Sequence, residues 1–231
     1  MSIYAISDLH LSFNEDKPMD IFGSNWENHA DKIRDNWIEK VNENDLVLLP
    51  GDLSWSLYLE DTQKDFEYLN NLPGKKIILK GNHDYWWSTI SKMNKYLKDK
   101  KFDTINFLHN NSYEYEEYII TGTRGWGISE LDKDDIKILK REVQRLKLSL
   151  EDGISKYGEN KKIITCLHYP PLKEKESSDF VKLMKEYNVE KCIYGHLHGP
   201  SQKYVIEGLI DNIEYIMVSC DYTNFDLIKL V

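Results

Sequence analysis

Five short stretches of this 231-residue chain carry the residue types that bind metal ions and move protons. They are Asp8-Leu9-His10, Gly51-Asp52, Gly81-Asn82-His83-Asp84, His168 and Gly195-His196-Leu197-His198. Together they supply two aspartates, an amide and five imidazoles, with Asp84 beside them. Carboxylate, amide oxygen and neutral imidazole form a mixed donor set that suits Mn²⁺, Fe²⁺/³⁺ or Zn²⁺ better than Ca²⁺. A D-x-H or H-x-H alone arises by chance in many chains. All five in order, each just after an apolar run, supply enough donors for two metal ions and a spare imidazole to move a proton.

The elements that must position them are legible as periodicity. Ile3 to Ser7, Leu46 to Leu49, Ile77 to Leu79, Ile163 to Leu167 and Lys191 to Tyr194 read as strands, and each runs into one of the motifs. Between them, Trp26 to Val41 and Glu60 to Leu72 repeat apolar residues at helical spacing, and Ser88 to Leu97 reads as a third helix. Leu139, Val143, Leu146 and Leu150 mark a longer amphipathic helix. Alternating strand and helix predicts βαβ units and largely parallel pairing. Further strands are predicted over Ile105 to Leu108, Tyr113 to Tyr115, Tyr118 to Thr121, Lys203 to Ile206, Ile213 to Ser219 and Phe225 to Leu230, with a turn at Asp211-Asn212. In open α/β sheets ligands gather beyond the carboxyl ends of strands, which is where the five motifs fall. On extended backbone, Asp8 and His10 are expected to point the same way, as are His196 and His198.

Composition narrows the partners. The chain is 41% hydrophobic and 12% aromatic, enough for a sizeable core, and its net charge of −9 comes without a long basic run. Tracking long nucleic acid relies on clustered Lys and Arg, so the balance argues against it. Cys166, Cys192 and Cys220 form no C-x-x-C pair and are expected as buried free thiols in a reducing compartment. No apolar run approaches a bilayer span, and the start of the chain enters the first strand without a basic, then apolar, leader. The expectation is a soluble cytoplasmic protein, and the acidic balance leaves open a small phosphorylated substrate whose charge bound metal would meet.

From Asp8 to His198 the pattern resembles the calcineurin-like metallophosphoesterases. The resemblance implies an α/β fold, a four-layer αββα sandwich of two mixed β-sheets flanked by helices, with residues 1–231 as a single domain. It implies two divalent transition-metal ions (Mn²⁺, Fe²⁺/³⁺ or Zn²⁺). Asp8, His10, Asp52 and His198 would hold one ion, and Asp52, Asn82, His168 and His196 the other, with Asp52 bridging. His83 would act as general acid, oriented or charged by Asp84. The implied activity is hydrolysis of a phosphate monoester or diester by a metal-bridging hydroxide, with His83 protonating the leaving oxygen. The alternatives are a nuclease of the same family and a non-catalytic metal-binding scaffold; the complete motif set favours the enzyme.

Outside the shared motifs, Arg124 follows a strand and is a candidate, with Asn82, for contact with the substrate. Trp55, Tyr85, Trp86, Trp87, Trp126 and Tyr169 cluster around the motif loops, as core packing or as a wall for a flat group. His29 and His109 read as structural, and the charged face Lys140, Arg141, Arg145 and Lys147 as solvated.

Overall fold

The computed structural model describes residues 1–15, 17–127, 132–173 and 176–231. Strands β1 (Ile3–Ala5), β2 (Leu46–Pro50), β3 (Lys75–Leu79) and β4 (Ile105–Leu108) pair in parallel, in chain order. The crossovers are helices α1 (His29–Lys40), α2 (Gln63–Asn71) and α3 (Ile90–Lys100). The chain then builds a second sheet from β5 (Tyr113–Tyr115), β6 (Tyr118–Thr123) and β7 (Lys162–Leu167). A ribbon of β8 (Leu172–Lys173) and β9 (Glu176–Ser177) follows, then β10 (Lys191–Tyr194), β11 (Gly208–Ile210) and β12 (Ile213–Met217). Helices α4 (Lys133–Tyr157) and α5 (Asp179–Glu186) belong to this half. Finally β13 (Ile228–Lys229) returns to the first sheet, antiparallel to β1. The sheet orders are β13-β1-β2-β3-β4 and β11-β12-β10-β7-β6-β5, with the edges β5, β11 and β13 antiparallel.

Strand alternation sorts the apolar residues into three cores. In β2, Val47 and Leu49 face α1 to α3 and join Trp37, Phe66, Leu69 and Met93. Leu46 and Leu48 point the other way, into a core shared with Ile164 and Ile193 of the second sheet. In β7, Ile163 and Leu167 complete a third core with Leu146 and Leu150 of α4 and Phe180 of α5. Both faces of each sheet are covered, which is why β2 reads as an unbroken apolar run. The result is the expected four-layer sandwich.

Several boundaries move. Lys203 to Ile206 is not a strand: Pro200 starts a 3-10 segment over Gly199–Tyr204, and the hairpin strand is β11 instead. The Asp211-Asn212 turn is present, both residues having positive φ (51° and 66°), as a tight hairpin requires. Of Phe225 to Leu230 only Ile228–Lys229 pairs. Thr89 caps α3 by accepting from the Lys92 amide, and Asp132 opens α4 with a reciprocal capping box to Asp135. Among the described residues no helix is long and apolar enough to cross a membrane. All three cysteines are buried and free.

Candidate metal centre

Every candidate ligand lies beyond the carboxyl end of a parallel strand. The first sheet delivers Asp8 and His10 after β1, Asp52 after β2 and Asn82 after β3; the second delivers His168 after β7 and His196 and His198 after β10. The backbone there is not extended. Asp8, His10, Asp52 and His196 have φ of 60°, 47°, 53° and 75°, which corrects the expectation that i, i+2 alternation aims these side chains. Left-handed backbone costs a residue with a Cβ about 1–3 kcal/mol, so four such residues in one place are held there by their surroundings. Close approach explains two glycines: a Cβ at Gly81 would overlap the Asp52 carboxylate, and one at Gly195 would overlap Asp8 and Ser7.

The convergence is tight. Asp8 Oδ2 accepts hydrogen bonds from the hydroxyls of Ser7 and Ser219 (2.8 Å for the latter) and from the His196 amide (3.1 Å). Its Oδ1 lies 3.2 Å from His198 Nε2. Asp52 Oδ1 accepts from the His83 amide at 2.8 Å, while Oδ2 stands 3.5 Å from His168 Nε2 and 3.9 Å from His10 Nε2. Asp8, His10 and His198 form one group able to hold an ion, and Asp8, Asp52 and His168 another. Asp8 closes both groups, while Asp52 stands between His10 and His168. His196 is brought alongside, its ring 5.1 Å from that of His168 and 4.1 Å from that of Tyr169, tilted by 39°.

Charge states follow from burial and pairing. Burial would raise the Asp8 carboxyl, yet His198, His168 and His10 hold it below the usual carboxylate range. Asp52 is pushed up to about 8, first by burial and then by the charge of Asp8. Burial lowers His10 and His168, and lowers His196 to about 3, so these imidazoles are neutral. Burial opposes the charge of His198, but Asp8 and Asp221 lift it to about 10.

Two observations test whether the residues fit a cation. His168 Nδ1 lies 3.0 Å from the Pro50 carbonyl and therefore carries the proton, so its Nε2 lone pair faces Asn82 Oδ1 at 2.7 Å. Two facing lone pairs are repulsive unless a cation joins them. His10 is buried with Nδ1 lacking any partner among the described residues, an expensive placement for a purely structural imidazole. The donor set fits a divalent cation.

The remaining candidates divide. His83 stands at the rim, half-buried, its ring 5.7 Å from His10 and 4.6 Å from Trp55, with Nδ1 free of partners among the described residues. Burial, then His168, lowers its pKa. Asp84 does not orient it. The Asp84 carboxylate is fully buried and accepts from the amides of Asp52 (2.9 Å), Leu53 (2.9 Å), Ser54 (3.3 Å) and Gly81 (2.7 Å) and from the Trp86 indole (3.0 Å). It ties the β2 and β3 turns together, its pKa raised to about 6 by burial and then by Asp52. Arg124 turns its guanidinium toward Glu142 (3.7 Å) and over Trp126 (4.6 Å), while its carbonyl accepts from the amides of His168 and Tyr169, both at 3.0 Å. Of the aromatics, Trp86 is core; Trp55 stacks on His10 at 4.8 Å, and Tyr85, Trp126 and Tyr169 stay at the rim. His29 and His109 are half-buried, and His109 lines a small cavity.

Asp221 was missed. Its Oδ1 lies 2.8 Å from His198 Nδ1, and its Oδ2 accepts from Gln202 Nε2 at 2.9 Å. Its signal was the one that found the others, a polar residue just past a strand, here β12.

Fold and donor set together define an α/β sandwich with two groups able to hold a cation where its sheets meet. The family model for calcineurin-like phosphoesterase matches residues 1–200, and the chain belongs to that family. Metal-dependent phosphoester hydrolysis is its general chemistry. A search of curated proteins gave no match. Among solved structures, the phosphopantetheinyl hydrolase of Mycobacterium tuberculosis is similar at 14% identity and a TM-score of 0.56, covering 100% of this chain and 95% of that one. A Thermus thermophilus protein is similar at 13% identity and TM-score 0.56, with 98% and 96% covered. A protein of unknown function from Aquifex aeolicus shows 19% identity and TM-score 0.50, with 99% and 95% covered. At these identities the likeness speaks for the fold.

Proposed function

We propose that this chain hydrolyses a phosphate ester of a small molecule with two divalent transition-metal ions. Asp8, His10, Asp52 and His198 would hold one, and Asp52, Asn82, His168 and His196 the other. The observation that carries this reading is the juxtaposition of His168 Nε2 and Asn82 Oδ1 at 2.7 Å, with Asp52 Oδ2 3.5 Å from the same nitrogen. Three electron-pair donors from three strand ends share one spot, and the raised pKa of Asp52 is the cost of holding its carboxylate there without a cation. When bound, the ions supply Lewis acidity for the attacking water and for the phosphate.

The protein's own part is placement. Pro50 fixes the His168 tautomer, Asp221 holds His198 through Nδ1, and Ser7 and Ser219 fix the Asp8 carboxylate. His83, attached through its amide to Asp52, presents an uncommitted imidazole at the rim and would give a proton to the leaving oxygen. The test is metal reconstitution followed by a hydrolysis screen over nucleotides, cyclic nucleotides, phosphodiesters and sugar phosphates. Two metal equivalents with turnover of one class are expected. Asp52→Ala should lose both equivalents, and a variant retaining the full complement refutes the assignment.

A further inference from the structure

Beside the candidate centre lies a second concentration of charge that the family chemistry does not use. A narrow cavity at the carboxyl ends of β3, β4 and β6 is lined by Lys80, His109, Thr123, Arg124, Glu142 and Arg145. Glu142, fully buried on α4, is the only carboxylate of this lining among the described residues. It accepts from the Thr123 hydroxyl (2.6 Å) and from Arg145 Nη1 (2.8 Å), with Arg124 Nη2 at 3.7 Å and Arg141 Nε at 3.6 Å. One carboxylate does not satisfy these cations. Arg124 Nε is buried without a hydrogen-bond partner, and the half-buried Lys80 makes no hydrogen bond or ion pair among the described residues. The expectation that Arg145 is merely solvated is thereby corrected.

The cavity and the centre share their walls. Lys80 immediately precedes Gly81 and Asn82, and the Arg124 carbonyl holds the amides of His168 and Tyr169. Each of these turns therefore puts a ligand toward the centre and a cation toward the cavity. Lys80, Arg124 and Arg145 against Glu142 leave a surplus of two positive charges inside a chain of net charge −9. A phosphate group carries about −1.5 to −2 at neutral pH and matches that surplus in charge, and guanidinium groups suit its oxygens. The cavity, at about 20 Å³, has the room of a water, so a phosphate enters only as the lining side chains move outward.

We propose that Lys80, Arg124 and Arg145 form a second anion site, which takes the distal phosphate of a doubly phosphorylated small molecule whose other phosphate ester meets the metal centre. This rests on the phosphoesterase reading for the second ester and on the cavity alone for the anion. Two measurements keep them apart. The first is calorimetric titration of metal-free protein with inorganic phosphate. Wild type should bind, and Lys80→Gln, which breaks no ion pair, should bind at least about tenfold more weakly, a loss of about 1.4 kcal/mol. Lys80→Met/Arg145→Met should bind weaker still, with thermal melts confirming its fold. The second compares KM for adenosine 5′-monophosphate and adenosine 3′,5′-bisphosphate on the metal-loaded enzyme. The bisphosphate should be favoured by wild type, and the preference should collapse in both variants. No heat up to about 10 mM phosphate, or equal affinity in wild type and variants, overturns the anion site. Phosphate binding that responds to the variants, with neither ester hydrolysed, would instead count against the phosphoesterase reading.

Discussion

His198 and Asp221 form a hydrogen-bonded pair in which Nδ1 meets the carboxylate at 2.8 Å while Nε2 is left facing Asp8 at 3.2 Å. Asp221 is itself nearly buried, at 3% exposure, and braced by Gln202. The acid thus decides which ring nitrogen the centre sees.

Asp221→Asn should therefore weaken metal binding about 10–100-fold, the usual effect of removing such a partner. Competition titration with a chromogenic chelator would measure it. Unaltered affinity for both ions would show that the pair only fastens the loop after β12.

For His83 the informative quantity is a ratio. A general acid matters most for a poor leaving group, so His83→Ala should reduce hydrolysis of an alkyl phosphate ester strongly and of a nitrophenyl ester much less. Metal content should stay at the wild-type level. An equal loss on both esters with metal retained would make His83 a phosphate-positioning group.

Asp84 should behave as a brace. Asp84→Ala strands four backbone amides and an indole in a buried setting, each worth about 1–3 kcal/mol unpaired. Even if relaxation and water recover most of this, a net loss of about 3 kcal/mol would lower Tm by roughly 6–12 °C in a chain of this size. Lost activity at an unchanged Tm would return Asp84 to a role beside His83.

Lys76 gives a pH test far from the chemistry. It is fully buried at the start of β3, donating to the Leu72 carbonyl and to Thr104 Oγ1 (3.2 Å), and burial pushes its pKa from 10.5 down to about 8. Below pH 8 both folded and unfolded chains hold the proton and the cost of the buried charge is complete. Between pH 8 and 10.5 the unfolded chain binds more protons, so this group's contribution to stability rises with pH. Lys76→Met should compare best with wild type at pH 7 and lose ground by pH 10 in urea melts. Parallel pH profiles for the two proteins would contradict the burial argument.

The strand runs were legible because β2 and β7 are apolar on both faces, and the motifs because each ends such a run. Lys203 to Ile206 misled because its apolar and polar residues mimic a strand while Pro200 sets the backbone otherwise. Sequence placed Asp84 beside His83 correctly as neighbours, yet adjacency says nothing of direction, and the carboxylate faces the amides behind it. Asp221 escaped because its partner, His198, is 23 positions away, although its place after a strand was visible. Arg124 and Arg145 could be read as charges but not as neighbours, since only packing of α4 on β6 brings them to one carboxylate.

His10 and His196 hold left-handed backbone conformations that glycine would adopt freely, and His10 also carries its orphaned ring nitrogen into the interior. A lineage freed from chemistry and screened only for remaining folded should drift at position 10 toward side chains that fill the space between Trp26 and Trp55 without a polar ring atom, gaining ruggedness as it loses its purpose. Dead descendants of this enzyme should outlast the living one in the heat, and the size of that gap would measure how far the working molecule stands from its own stability optimum.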